Sequence, residues 1–442
     1  MQPEKKNVPR VHLFTLLVAS IGNAIVWGMN GFLQFHAGLA SPEGGFGLSA
    51  LDIGIIFGVA NVFTAFSNVF WGAISDRTES RLGKRKPFML IFPPLVLVVL
   101  WLASIADILS GMAAVFPTLL ILLVLKGVLH AGANVPYTTV IPEVVPPEKR
   151  VMVSQLSALV QGIGFAAGAI VPALLFQAFT DFSIPFVVAG AVMIVLYLVS
   201  STAVPSDATP VKVEGIFQSM KSTLKNRNFM MFEAAQFLWT LGLNIVIFVI
   251  PFLAQDVVGI VDESVYGWFF VSFLAIAGLC MLGMNLVMQK RRVEKKKALM
   301  FSLLASVIAL PLVGFIGTPT FSFMPILVQV YLFGSLLFAG LVGIFIFPYA
   351  IMLALIDYSS GSEGAYNGTN GTILGFAAIP SGPVGGLLIV LGYPFVGIAG
   401  TVLFIASVAV MLRVRVPEHL FEKHGGRGEP EGGEEGFSRS RP

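Results

Sequence analysis

Residues 72–88 read Gly72-Ala-Ile-Ser-Asp76-Arg77-Thr-Glu-Ser-Arg81-Leu-Gly83-Lys84-Arg85-Lys86-Pro87-Phe88. One apolar run ends here and another begins, with five basic residues between them. Such segregation is what a membrane imposes, because loops kept on the cytoplasmic side collect Lys and Arg. The rest of the chain agrees: of 442 residues, 56% are hydrophobic and only 12% charged, against about 25% charged in soluble proteins. The chain therefore reads as a polytopic membrane protein. Its net charge of +3 reports orientation and contact with membrane lipid, not nucleic acid.

A helix needs about 20 apolar residues to cross a bilayer. That ruler gives twelve spans, near 11–38, 51–74, 88–106, 114–140, 152–177, 185–204, 229–253, 265–289, 298–316, 323–356, 366–390 and 395–413. Alternate threading then places 26 of the 27 Lys and Arg residues on one side. The opposite segments (39–50, 107–113, 178–184, 254–264, 317–322 and 391–394) hold none. The expectation is an all-α membrane protein of the cell membrane, multi-pass, with both termini cytoplasmic. The first run follows Lys5, Lys6 and Arg10 and reads as an uncleaved helix, being too long for a signal peptide. The lone cysteine, Cys280, lies in an apolar run and reads as inert packing.

The chain divides into a six-helix bundle over 1–204, a cytoplasmic linker over 205–228, a second six-helix bundle over 229–415 and a disordered polar tail over 416–442. The linker opens with Pro205-Ser-Asp-Ala-Thr-Pro210 and continues as an amphipathic surface helix through Ile216, Phe217, Met220 and Leu224. The two bundles share punctuation. Span 4 carries Asn134-Val-Pro-Tyr137 and span 10 carries Phe347-Pro-Tyr349. Span 5 carries Gly164-Phe-Ala-Ala-Gly168 and Pro172, and span 11 carries Gly375-Phe-Ala-Ala378, Pro380 and Pro383. Glycine and proline at matching places in two halves mark a transporter built from repeats.

The remaining basic residue, Lys126, lies mid-span. A charge at that depth costs about 2.5–3.5 kcal/mol on insertion scales, so it needs a partner or a task. Lys126, His130 and Asn134 recur at i, i+4 and i+8 and share one face of span 4. Three readings of Lys126 stand open: it binds an anionic substrate, it titrates with His130, or it is a fixed charge bonded to Asn and carbonyl oxygens. Span 1 carries Asn23, Trp27, Asn30 and Gln34 on one face, and span 7 carries Gln236, Thr240 and Asn244. Amides bond hydroxyls in both directions and an indole stacks on a sugar ring, so these residues, together with Lys126, His130 and Asn134, are candidate substrate contacts. The same amides could instead join helices. Trp268 and Tyr266 read as an interfacial belt. Asn367-Gly-Thr369 and Asn370-Gly-Thr372 match the glycosylation pattern but fall on the cytoplasmic side, where they read as polar cavity or gate contacts.

The 72–87 stretch resembles the loop between helices 2 and 3 of the major facilitator superfamily. The finer form, Ser80-Arg-Leu-Gly-Lys-Arg-Lys-Pro-Phe88, together with Asn134-Val-Pro-Tyr137 and Pro142-Glu143, resembles the glycoside–pentoside–hexuronide:cation symporters, the melibiose permease-like family. The resemblance implies two pseudo-symmetric six-helix bundles that rock about a mid-membrane site. It implies a gate latch at Gly72, Asp76, Arg77, Gly83 and Arg85, with Glu143 or Asp357 as acidic partners. It also implies a sugar or glycoside as cargo. Sodium-using members carry carboxylates at the coupling positions that match Thr64, Asn68 and Asn134 here, so the resemblance does not extend to a sodium site.

The expected function is secondary active transport of a sugar, glycoside or sugar acid, coupled to protons and not to sodium. An uncoupled facilitator of the same cargo, or an efflux carrier for amphipathic compounds, is the alternative. No enzyme motif, cofactor motif or metal-ligand spacing is present: the chain has no His-Glu-x-x-His, Gly-x-Ser-x-Gly or phosphate-binding loop. The partners expected are a small-molecule substrate, lipid and protons, with the protein acting as a monomer.

Overall fold

The computed structural model describes residues 10–40, 44–145, 150–179, 181–204, 223–291, 294–355 and 363–416. Every regular element among them is helical, and twelve helices are long and apolar enough to cross a membrane. Each coincides with one of the expected spans. Linker residues 205–222, tail residues 417–442 and Asp357 lie outside the described residues, as do the side chains of Asp76 and Glu143.

Local chemistry sets the helix starts. Span 2 (Ala50–Arg77) opens with a capping box: Ser49 accepts from the Asp52 amide at 3.1 Å while the Asp52 carboxylate accepts from the Ser49 amide. Span 7 (Arg227–Leu253) is capped by Asn226, whose side chain accepts from the Phe229 amide at 3.1 Å. Between spans 2 and 3 the chain turns on Gly83, whose amide donates to the Ser80 carbonyl at 2.9 Å. Gly83 has φ +86°, a left-handed conformation that glycine adopts without steric cost. Arg85 is buried and donates to Ser75 at the end of span 2. Arg77 is exposed.

Packing repeats with a shift of six spans. In the first half, spans 1 and 5, 1 and 6, 2 and 4, 3 and 4, and 3 and 6 pack together; in the second, 7 and 11, 7 and 12, 8 and 10, 9 and 10, and 9 and 12 do the same. The halves meet through spans 2 and 11 and through spans 5 and 8. Among the described residues, several of the closest contacts between the halves lie at the end that lacks basic residues. Gly54 of span 2 lies backbone-to-backbone on Gly382 of span 11, and Gly386 lies against Ala50 and Leu51. Small residues allow that approach in a medium where helix association depends on close packing. At the same end Phe35 of span 1 stacks on Tyr266 of span 8 with ring centroids 4.3 Å apart. Tyr266 is only 2% exposed, so it belongs to the seam between the halves and not to an interfacial belt. The expectation failed because an aromatic residue near a helix end satisfies both descriptions in sequence. Trp268, at 41% exposed, fits a belt.

Candidate functional site

Span 1 is built from Arg10–Leu17 and Ala19–Gly38, and its faces have distinct partners. Gly28 packs on Gly168 of span 5, and Gly22 packs on Met193 of span 6. Gly31 meets the Tyr266 hydroxyl of span 8. The face carrying Asn23 and Asn30 turns to span 4. Asn23 is the hub. Its Nδ2 donates to Asn134 Oδ1 at 2.8 Å. Its Oδ1 accepts from the Tyr197 hydroxyl of span 6 at 2.7 Å and lies 3.1 Å from His130 Nε2. With Oδ1 as acceptor, His130 carries its hydrogen on Nε2. One turn away, Tyr137 and Ser20 share a 2.7 Å hydrogen bond.

Lys126 donates its ammonium to Asn30 Oδ1. It is 8% exposed and, among the described residues, has no carboxylate within ion-pair reach. A hydrogen bond to a charged group contributes about 1.5–3 kcal/mol, similar to the cost of placing the charge at that depth. The Asn30 contact therefore offsets much of the insertion cost. Trp27 lies between the face of span 1 that meets span 4 and the face that meets the second half. Its indole is 50% exposed. An ammonium, an amide and an aromatic plane on adjoining helix faces can bond hydroxyl or carboxylate oxygens while stacking a ring.

The coupling positions hold no cation-binding oxyanions. Thr64 donates its hydroxyl to the Ala60 carbonyl of its own helix at 2.8 Å, and its Oγ1 lies close to Gly127 beside Lys126. Asn68 is half-buried. Asn134 accepts from Asn23. Nearby, Asn61 Nδ2 donates across the seam to the Ala378 carbonyl of span 11 at 3.0 Å. Gln34 is buried at 8% exposed.

The second half holds a different centre. Glu233 of span 7 is 0% exposed. Asn370 of span 11 donates Nδ2 to both carboxylate oxygens at 3.1 Å and to Gln236 Oε1 at 2.9 Å. Asn244 is half-buried and makes no hydrogen bond to a described residue. The sequence marks Gln236, and Asn370 as a polar contact; Glu233, six residues into its helix, carries no such mark. The sequence also gives no sign of Tyr197, a single phenol in an apolar run. Across the basic-poor end, His36 Nδ1 lies 2.8 Å from Glu263 Oε1 and the imidazole stacks on Phe182 with centroids 3.5 Å apart. Among the residues expected to form a gate latch, Gly72 lies near Val135, and Arg85 bonds within its own half.

The sequence model described as Major Facilitator Superfamily matches residues 13–381. An isoprimeverose transporter of Lactiplantibacillus pentosus is 31% identical over 121 residues, which cover 27% of this chain. That match spans only 25% of the relative's length. Two solved structures of the nucleoside transporter NupG, one of them a point mutant, are similar in fold. The mutant gives a TM-score of 0.65 at 14% identity, covering 91% of this chain and 99% of the other. The second gives 0.62 at 14% identity, covering 91% and 97%.

Proposed function

The chain belongs to the Major Facilitator Superfamily, and on that premise we propose that it carries a sugar, glycoside or sugar acid across the cell membrane by alternating access, coupled to protons and not to sodium. The observation that carries this reading is the Lys126–Asn30 pair beside the exposed indole of Trp27. Hydroxyl-rich rings need hydrogen-bonding groups at their edges and an apolar plane at their faces, and this wall of the first half offers both. The similarity to an isoprimeverose transporter supports the sugar class. Asn23, His130, Asn134 and Tyr197 spend their polar atoms on one another. Their role in this reading is to fix the orientation of spans 1, 4 and 6 so that Lys126 and Asn30 stay aligned.

Sodium is disfavoured on donor chemistry. A hard cation binds anionic oxygens, and Thr64, Asn68 and Asn134 supply only neutral ones, two of them already engaged in hydrogen bonds. The gate-latch assignment of Gly72, Asp76, Arg77, Gly83 and Arg85 stands as part of the same proposal, with the left-handed turn at Gly83 fixing the path of the basic loop.

Counterflow in liposomes tests the reading. Purified protein is reconstituted into vesicles loaded with unlabelled isoprimeverose and exposed to trace labelled isoprimeverose. Transient accumulation of label without any ion gradient is the expected result. Competition by uronic acids over neutral sugars would assign Lys126 to a cargo carboxylate, and the reverse preference would assign it to hydroxyl groups. No exchange with any member of a broad sugar and sugar-acid panel would overturn the cargo class.

A further inference from the structure

We propose that Glu233 is the group that binds the transported proton, held in the second half by Asn370 and Gln236 and not at Thr64, Asn68 or Asn134; this rests on the proton-coupled transport reading above and gives it a site. Among the described residues Glu233 is the one carboxylate that is fully buried. It sits six residues into span 7, about 9 Å along the helix axis at 1.5 Å per residue. Its surroundings are short of donors. The Asn370 amide has two hydrogens, and one of them goes to Gln236 Oε1. A single hydrogen is left to serve both carboxylate oxygens. An ionised carboxylate offers about four acceptor positions, so this cradle underserves the anion.

Among the described residues, no cation makes up the difference. Against this part of span 7, the charged residues among those described are Arg413 at the end of span 12, the exposed Arg415 just beyond it, whose backbone bonds Asn228, and Glu363 at the start of span 11, whose side chain lies outside those described. Span 7 itself begins with Arg227. Arg227 and Arg413 are exposed, and neither forms an ion pair with Glu233. The helix over Pro348–Leu355 brings no charged residue. A buried carboxylate without a counter-ion is stable when a proton occupies it.

The location also connects the acid to the movement it must drive. Asn370 is half-buried, and the next position, Gly371, is exposed with open space where a Cβ would stand. Asn370 belongs to the helix Glu363–Ala378. Two turns further on, the Ala378 carbonyl accepts from Asn61 of the first half, and the Gly382 backbone beyond it rests on Gly54. A change of charge at Glu233 therefore acts on the span that bridges the halves. In the cycle, a proton adds to a carboxylate oxygen from water on one side, the neutral acid crosses with the halves' rearrangement, and the same oxygen releases the proton to water on the other. One positive charge enters with each neutral cargo molecule, and no net charge enters with each singly anionic one.

The test uses the full-length protein in the same vesicles with the same labelled isoprimeverose. With the interior alkaline, the wild type accumulates label above equilibrium, and Glu233→Gln brings the accumulation ratio to one. Accumulation by Glu233→Gln equal to that of wild type would overturn the proposal, as would a wild type that exchanges label but ignores the pH gradient. Infrared difference spectra between acidic and alkaline buffer provide a readout that needs no cargo. A protonated-carboxyl band is expected in the wild type, lost in Glu233→Gln and shifted in frequency by Asn370→Ala; a spectrum unchanged by both substitutions would sink the assignment. If Glu233→Gln does not fold, the Asn370→Ala shift decides. Silence of the wild type in exchange would count against the cargo alone, and the infrared result would still judge the acid.

Discussion

Among the described residues, the first half holds a mid-span ammonium and the second a fully buried carboxylate, on frameworks that pack their helices in the same pairs. In the first half the charge is on span 4 and its network joins spans 1, 4 and 6. The counterpart of span 4 is span 10, whose helix Ile326–Ile346 contains no charged residue. The acid of the second half is instead on span 7 and reaches span 11. What the two halves share is backbone packing; the polar chemistry has been placed independently, wherever a neighbouring helix supplies a partner. Even their prolines act differently. Pro136 and Pro172 lie inside the continuous helices Val115–Val144 and Arg150–Ala178. Pro348 and Pro380 stand where spans 10 and 11 are each divided in two, as expected for a residue that lacks an amide donor and crowds the preceding turn.

The largest test of this contrast compares the amide at the centre of each network. Asn23 serves three side chains, from Tyr197, His130 and Asn134. Each buried polar group left without a partner costs about 1–3 kcal/mol. Asn23→Ala should therefore lower stability by about 4 kcal/mol in sum. Gln236→Ala releases a single hydrogen of Asn370 and should cost about 1 kcal/mol. Thermal unfolding of the purified variants in detergent checks both numbers. Equal losses would mean that the two centres are built alike after all.

The next test asks what the ammonium is for. Lys126→Ala should reduce exchange about 100-fold, equivalent to about 2.7 kcal/mol. Undiminished exchange would make Lys126 a structural charge and remove the first half's centre from the transport cycle.

The frame of this contrast was legible in the sequence and its cross-links were not. Loop charge and span length fix where twelve helices begin and end, because bilayer thickness and the sidedness of Lys and Arg act on every loop at once. Helical periodicity also puts Lys126, His130 and Asn134 on one face, and the structure joins that face to Asn23 and Asn30. Periodicity does not say which helix a face will meet. Tyr197 is 174 residues from the Asn23 oxygen it bonds, and Glu263 is 227 residues from His36. Such partners are chosen by packing of whole helices, which leaves no local trace. Glu233 follows the same rule: closeness to a helix end suggests access to water, and only the packed neighbours of span 7 withdraw it.

A smaller effect is expected at the seam itself. His36 and Glu263 join span 1 to span 8 at the basic-poor end, with side chains 9% and 22% exposed. Partial exposure limits the pair to about 1 kcal/mol. A double-mutant cycle with His36→Ala and Glu263→Ala, read by unfolding, should return a coupling of that size. A coupling near zero would leave closure of this end to the Gly54–Gly382 and Phe35–Tyr266 contacts alone.

The smallest effect separates the starts of two equivalent helices, spans 2 and 8, by pH. Span 2 is capped by the Ser49 hydroxyl, which accepts from the Asp52 amide and does not titrate. Span 8 is capped by Asp262, whose carboxylate accepts from the Ser264 hydroxyl at 2.7 Å and from the amides of Ser264 and Val265 at 2.8 and 3.0 Å. The Ser264 hydroxyl, followed by those amides, holds the Asp262 carboxyl below its usual range. A carboxylate whose folded value is depressed stabilises the fold at any pH above its unfolded value and loses that contribution as pH falls through the folded one. Each cap contributes about 0.5–1 kcal/mol at neutral pH. The deficit of Asp262→Ala should therefore shrink once pH drops below about 4, while the part of the Ser49→Ala deficit due to the lost hydroxyl-to-amide bond should persist. Parallel melting curves across that range would show it. If the Asp262→Ala deficit also persisted, hydrogen bonding to the ionised carboxylate would not be what starts span 8.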